Sequence, residues 1–247
     1  MSTEQKFPTE DVELPSEGLL YPLDSPLSSG KVEMKYMTAK EEDILTNQNY
    51  IEKGVVIDKL LQALIVDKSI DYNSLLVGDK NALLVAARVL GYGKDYEFIY
   101  AGEKEVVDLS LLSNKRIDKT MLKDGKNELS FKLPNSGIEL TFKLLTHGDE
   151  MKIDQEVRGL KKMDKNSSAE LSTRLKHMIL SVDGNTDNPF IRQFVDNRFL
   201  AMDSRAFRKY IQIVQPDVDL KFYPENGPEG GVEIPIGINF LWPDARL

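Results

Sequence analysis

The chain lacks cysteine and has only two histidines, His147 and His177, among its 247 residues. Missing thiols exclude disulfides, thiolate catalysis and any zinc or iron–sulfur site built on cysteine. Two histidines are also too few for a multi-histidine metal cage, so we expect no metal and no cofactor. A chain without cysteine is typical of a reducing compartment.

Long apolar runs are missing too, because no stretch approaches the roughly 20 apolar residues that span a bilayer. The polar start, MSTEQKFPTEDVE, has no apolar centre of a secretory signal, so we predict a soluble protein without a membrane partner. Lys and Arg (32) are outnumbered by Asp and Glu (40), which gives a net charge of −8 at pH 7. Such a chain repels phosphate backbones, and we predict no nucleic-acid partner. The basic run Arg158–Lys165 is interpreted as the solvated C-terminal end of a helix.

Catalytic motifs are absent as well. The sequence contains neither G-x-S-x-G nor H-E-x-x-H. Asp183–Asp187 begins like a calcium-binding loop, but Asn188 and Phe194 replace the glycine and glutamate that such a loop requires. We therefore predict no catalytic residues and no enzyme. A pair of carboxylates brought together by the fold stays open, since sequence does not show which residues are neighbours in space.

Hydrophobic periodicity predicts the α+β fold class, with a helical body that carries projecting β-hairpins. We assign this body to residues 31–247. Apolar and polar residues alternate on both sides of a turn near residues 96–109, 128–145 and 217–241, and we place the hairpins there. In the last of these, the second strand is predicted to continue to Phe240 as an edge strand.

Capping residues and apolar spacing predict several helices. Thr38 and Glu41 form a capping box at the start of one helix. Asp79 and Asp203 are predicted to be the N-caps of two others. A single helix face is predicted from apolar residues three or four positions apart, namely Leu171, Leu175, Met178, Ile179 and Val182.

Residues 1–30 differ from the body because they contain four prolines and no helical or strand period. Their apolar residues are too many for a disordered tail. We predict an extended arm that lays these side chains into grooves, either on its own body or on a partner. A loosely tethered tail is the alternative. Deletion of residues 1–30 is expected to leave a folded body and to weaken assembly.

The only tryptophan, Trp242, stands close to the C-terminus within Phe240–Pro243 (FLWP). It is interpreted either as a cap over the core beneath the last hairpin or as an exposed anchor for a partner, because aromatic residues dominate interface hot spots. Together with the arm, it completes the predicted partner-binding residues: Leu14, Leu19, Leu20, Tyr21, Pro22, Leu241 and Trp242.

Three separated segments resemble one protein family. The first comprises Leu14–Pro22 (LPSEGLLYP) and Lys31–Leu45 (KVEMKYMTAKEEDIL). The second lies within Val182–Leu220 and contains DGNTDNPFIRQFVDNRFLAMDSRAFRKYI and PDVDL. The third is Ile238–Pro243 (INFLWP). In this order the segments resemble the baseplate hub subunit/assembly protein family of T-even-type contractile-tailed bacteriophages.

The resemblance implies a structural protein of the virion tail baseplate that occupies the host cytoplasm during assembly and acts by protein–protein binding. The implied partners are other baseplate and tail-hub proteins, with copies of the chain itself as a further option. Relatives carry cysteine pairs, spaced as in zinc knuckles, in the loops of the first and last hairpins. The corresponding loops here, YAGEKE and YPENGPEGG, have none, so zinc does not carry over.

Two alternative functions stay open. The first is a transient assembly chaperone of the hub that is absent from the mature virion. The second is a cell-wall hydrolase associated with the tail, which would need two carboxylates across a sugar cleft or a metal site.

Overall fold

The computed structural model describes residues 8–115, 118–122, 125–164, 169–224, 228–236 and 238–241. The helices are α1 (Ala39–Leu45), α2 (Gln48–Glu52), α3 (Val56–Leu64), α4 (Val77–Tyr92), α5 (His147–Met163), α6 (Glu170–Met178), α7 (Asn188–Asn197), α8 (Ala201–Val214) and α9 (Ile238–Leu241). The strands are β1 (Thr9–Glu13), β2 (Lys31–Lys35), β3 (Asp95–Tyr100), β4 (Glu103–Asp108), β5 (Leu129–Lys132), β6 (Glu139–Phe142), β7 (Ile179–Val182), β8 (Lys221–Phe222) and β9 (Val232–Glu233).

The fold class is α+β, as the sequence predicts, with helices packed against small antiparallel sheets. The hairpins predicted near 96–109 and 128–145 correspond to β3–β4 and β5–β6. One continuous hydrophobic core joins helices and sheets, and its largest fully buried side chains are Phe142, Phe194, Phe207 and Phe240. Within the described ranges, no helix is both long and apolar enough to cross a membrane.

The sheet of β5 and β6 has a third strand, which corrects the sequence prediction. Leu175 and Met178 belong to α6, but Ile179 and Val182 lie in β7, where Val182 pairs with Leu140 of β6. The apolar spacing of this segment fits a helix throughout. Pairing with β6 overrides that preference, because it satisfies backbone groups and buries both side chains at the same time.

The last hairpin is shorter than predicted. Only Lys221 with Glu233 and Phe222 with Val232 form strand pairs, in place of a long ribbon over residues 217–241. Phe240, predicted to lie in an edge strand, belongs instead to the short helix α9. Phe240 is fully buried and packs edge-on against Tyr96 of β3, with ring centroids 4.9 Å apart. Core packing of this ring thus replaces the predicted strand.

The described part of residues 1–30 is not a separate arm. Thr9–Glu13 form β1, which pairs antiparallel with β2 from Thr9 opposite Lys35 to Glu13 opposite Lys31. The segment that follows turns back across the body, where Leu14 and Leu27 join the continuous core. The first body strand and the supposed arm are therefore two strands of one sheet.

Two helices begin earlier than the sequence predicts. The N-cap residues of α4 and α8 are Leu76 and Leu200, not Asp79 and Asp203. Each aspartate is instead the third residue of its helix and is fully buried. Thr38 and Glu41 do form the predicted capping box of α1.

Candidate functional site

One edge of β1 borders an open groove. Leu14 N–H donates to Gly30 O and Tyr36 N–H donates to Pro8 O, both across the β1–β2 pair. Because hydrogen-bonded and non-hydrogen-bonded pairs alternate in an antiparallel ladder, the backbone groups of Thr9, Asp11 and Glu13 point away from β2. Among the described residues, no further strand pairs with this edge. The edge is therefore open to another strand.

Helix α4 forms the floor of this groove, which has a volume of about 490 Å³. The floor consists of one helix face with residues at positions i, i+3, i+4, i+7 and i+8, namely Ala82, Val85, Ala86, Val89 and Leu90. The opposite wall comes from the short 3-10 helix Leu109–Leu111 and from Leu112. We call this space the edge groove.

The strand side of the edge groove is acidic, with Glu10, Asp11 and Glu13 along it. Glu10 accepts a hydrogen bond of 3.0 Å from the Tyr36 hydroxyl, and that bond raises the pKa of Tyr36. Glu13 lies 3.7 Å from Lys31 in an exposed ion pair. For Asp11, no partner is found within the part of the chain that the structure describes. The groove thus combines free backbone donors and acceptors, an apolar floor and a negative rim.

A second polar centre surrounds the first turn of α4 and is buried. Asp79 accepts hydrogen bonds from Ser16 N–H (2.9 Å), Ser16 Oγ (2.6 Å) and the Tyr21 hydroxyl (2.6 Å). The Tyr21 oxygen in turn accepts a hydrogen bond of 2.9 Å from Leu76 N–H. Burial raises the pKa of Asp79, and burial beside this carboxylate raises the pKa of Tyr21. The loop from Leu14 to Pro22 is thereby fastened to α4.

The turn within this loop depends on glycine. Gly18 has a φ of +80°, and a Cβ placed there would lie 2.4 Å from Ser28 O. Only glycine combines this left-handed backbone with so close an approach of two chain segments.

The segment PDVDL reaches the same turn of α4 from the other end of the chain. Asp217 accepts a hydrogen bond of 3.0 Å from Asn81 Nδ2. A Cβ on Gly78 would lie 1.8 Å from Pro216 O, so the backbones pack directly on each other. Two of the segments that carry the family resemblance therefore meet at one place in the fold.

The next side chain of α4 enters a third polar group. Lys80 forms an ion pair of 2.6 Å with Asp58 of α3, which also accepts a hydrogen bond of 2.9 Å from the Tyr72 hydroxyl. His147 of α5 lies 3.2 Å from Lys80 through Nδ1 and 3.7 Å from Asp58 through Nε2. Burial and the charge of Lys80 lower the pKa of His147, which is therefore neutral at pH 7.

These polar groups serve the fold, since each side chain is bonded to another and links two or three elements. Asp58, Lys80 and His147 tie α3, α4 and α5 together. The other histidine, His177 of α6, lies 3.0 Å from Glu156 of α5. Within the described ranges, no group of three or more Asp, Glu or His side chains is arranged to hold a metal ion.

The structure corrects most of the predicted partner-binding residues. Leu14, Leu20 and Tyr21 are at most 3% exposed, and Leu241 is 1% exposed, in the core of the chain's own body. These four cannot dock on a partner without unfolding that core, so the prediction is wrong for them.

The other three predicted residues differ from these four. Leu19 is half-buried and Pro22 is exposed. Leu23, the next residue after Pro22, is 83% exposed. Trp242 lies outside the described residues.

Sequence reasoning missed the edge groove because residues 1–30 were treated as lacking a strand. A short signal was present: Val12 and Leu14 alternate with the acidic residues Asp11 and Glu13 just before Pro15. Such alternation is typical of a half-buried strand. The partner strand begins only at Lys31, so this signal gains meaning from pairing that the sequence does not display.

Comparison of the chain with protein-family models, with curated proteins and with solved structures finds no match. The resemblance of its segments to the baseplate hub family therefore stays a prediction.

Proposed function

We propose that this chain is a protein of the contractile-phage tail baseplate that acts by binding a neighbouring hub protein during assembly. The resemblance of three sequence segments supports this proposal, and two of them contain residues that fix the start of α4. In this account those residues maintain a scaffold, and the scaffold presents the binding surface.

The open edge of β1 above the apolar face of α4 is the observation that carries the proposal. The four strand residues Glu10 to Glu13 span about 13 Å at the usual strand rise. The face of α4 from Ala82 to Leu90 spans about 12 Å at the usual helical rise. An extended segment of about four residues can therefore pair with β1 along its length and place side chains on α4, which is β-augmentation.

Charge defines the segment further. Glu10, Asp11 and Glu13 border the edge groove, and the whole chain carries a net charge of −8. An acidic rim favours lysine or arginine in the bound segment and speeds its encounter with the groove. We propose an extended segment of alternating basic and apolar residues in the partner.

Charge reversal tests this proposal in infected cells. A tagged chain with Asp11→Lys and Glu13→Lys is compared with the unaltered chain and with a control carrying Asp24→Lys and Asp43→Lys. Both control positions are exposed and lie outside the groove, and both variants change the net charge equally. Co-purified proteins are identified by mass spectrometry.

We expect tail-hub proteins to co-purify with the unaltered chain and with the control, but not with the groove variant. Equal recovery by both variants would contradict binding at β1, and recovery of no tail protein by any chain would contradict the baseplate assignment. Mass spectrometry of purified virions then separates a virion component, present at fixed copy number, from an assembly chaperone.

A further inference from the structure

The outer face of α5 forms a basic groove in an otherwise acidic molecule. Lys152, Arg158 and Lys162 project from successive turns of this helix, and Lys53 faces them from the connection between α2 and α3. This space, which we call the basic groove, has a volume of about 600 Å³. One carboxylate, Asp154, lines it together with the four cations.

The four cations of the basic groove are not used by the fold. Exposed lysines elsewhere form ion pairs, as Lys104 does with Glu97 at 2.7 Å and Lys119 with Glu17 at 2.5 Å. For the four groove cations, no ion pair is found in the part of the chain that the structure describes. Their charges therefore remain available to a ligand.

The helix dipole does not explain this arrangement. Cations stabilise the last turn of a helix, and Lys162 fits that role. Lys152 lies in the second turn of α5, where the dipole gives no such advantage, and Lys53 belongs to a different element. A surface that joins two elements by charge is better explained by a common anionic ligand.

The floor of the basic groove is open and partly apolar. A Cβ at Gly54 or Gly159 would meet no atom within 4 Å, so both backbones are accessible. Met151 is 45% exposed and lines the groove beside the half-buried Val55. Exposed apolar side chains among cations suit a protein segment that carries both carboxylates and apolar residues.

We propose that the basic groove binds an acidic, partly apolar segment of a second partner protein. A nucleic acid fits less well, because a long phosphate backbone would extend beyond the four cations onto a surface with a net charge of −8. The basic groove is distinct from the edge groove and takes a segment of opposite charge, so one copy of the chain can bridge two neighbours.

Fluorescence anisotropy with a labelled peptide tests this inference on the full chain. The probe is a peptide of about a dozen residues, mostly glutamate with interspersed leucine, and single-stranded DNA of equal charge is the competitor. The groove variant carries Lys53→Glu, Arg158→Glu and Lys162→Glu. The control carries Lys31→Glu, Lys104→Glu and Lys119→Glu, which are exposed positions outside the basic groove. Cooperative melting of both variants confirms that they fold.

We expect the unaltered chain and the control to bind the peptide and the groove variant to bind it at least about tenfold more weakly. Raising the salt concentration from about 0.05 M to about 0.5 M should also weaken binding. Equal affinities of groove variant and control would overturn the proposal, as would the absence of peptide binding. Tighter binding of the DNA than of the peptide would assign the groove to a nucleic acid and overturn it too.

Discussion

At the scale of single residues, the fold depends on acidic side chains placed at the third position of a helix. Glu41, Asp79, Asp149 and Asp203 all occupy this position and are all buried. Each accepts hydrogen bonds from outside its own helix or from the helix start. A carboxylate near a helix N-terminus is also favoured by the helix dipole. These acids therefore set where helices begin and which loops cross them.

Removal of the Asp79 carboxylate should destabilise the protein more than most substitutions. Asp79→Ala leaves the buried donors of Ser16 and Tyr21 without their acceptor, so we expect the free energy of unfolding to fall by about 3–5 kcal/mol. Asp11→Ala, at an exposed carboxylate without a partner among the described residues, should change it by about 0.5 kcal/mol or less. Urea unfolding measures both, and equal effects of the two changes would contradict this role of Asp79.

The acids at the third position also predict how stability depends on pH. Burial opposes the ionisation of Glu41 and Asp149, but hydrogen bonds from Lys35 to Glu41 and from Lys143 to Asp149 outweigh it and lower both pKa values. Unfolding returns each pKa to its ordinary value, so the unfolded chain binds more protons as the pH falls toward 4. The stabilising contribution is therefore complete above about pH 5 and is lost as the pH falls through the lowered pKa values.

Urea unfolding at about pH 6 and about pH 3 checks this dependence. We expect the unaltered chain to lose more stability between the two values than a variant with Glu41→Gln and Asp149→Asn. An equal loss in both proteins would show that other groups govern acid unfolding.

At the scale of elements, close packing of backbones determines how α4 meets the segment near Pro216. Because a Cβ on Gly78 would lie 1.8 Å from Pro216 O, Gly78→Ala must separate the helix from this segment. The helical preference of alanine favours the change by about 1 kcal/mol, whereas overpacking opposes it by about 1–3 kcal/mol. We expect a net loss of stability.

Gly159 in α5 provides the matched comparison. Nothing lies within 4 Å of a Cβ at this position, so Gly159→Ala should raise the free energy of unfolding by about 0.5–1 kcal/mol through helix propensity alone. Thermal melting of both variants gives the two signs. A stabilising Gly78→Ala would show that the backbones can move apart without loss.

The integration of β1 and the following loop reverses the expectation for a truncated chain. Deletion of residues 1–30 removes the buried side chains of Leu14, Leu20, Tyr21 and Leu27. At about 2 kcal/mol for each, this loss approaches the whole stability of an ordinary domain. We expect the truncated chain to lose cooperative melting, whereas deletion of residues 1–7, which leaves β1 complete, should retain it. A truncated body that melts cooperatively would restore the separate arm.

How far the sequence predicts these elements depends on whether their pattern is local. The hairpin β3–β4 and the capping box of Thr38 with Glu41 follow from residues close together in the chain. The strand character of Ile179–Val182 does not, because it arises from pairing with β6 about 40 residues earlier. The roles of Asp79 and Asp203 were missed for the same reason, since their donors lie in distant loops.

At the scale of the whole molecule, two grooves of opposite charge lie on one body. The edge groove has an acidic rim beside β1, and the basic groove has four cations beside α5. Neither is visible in the sequence, because each combines elements from different parts of the chain. The α+β class was predictable from alternating periods, but the surfaces on which the proposed function rests follow from how the elements pack.

Hydrogen exchange of β1 tests the binding account most directly. The backbone amides of Thr9, Asp11 and Glu13 point away from β2, so they should be poorly protected in the isolated protein. Exchange is measured by mass spectrometry for the chain alone and for the chain in its purified hub complex. We predict that exchange at these amides slows by about tenfold or more in the complex, as a third strand would require. Unchanged exchange along β1 in the complex would contradict strand addition at this edge.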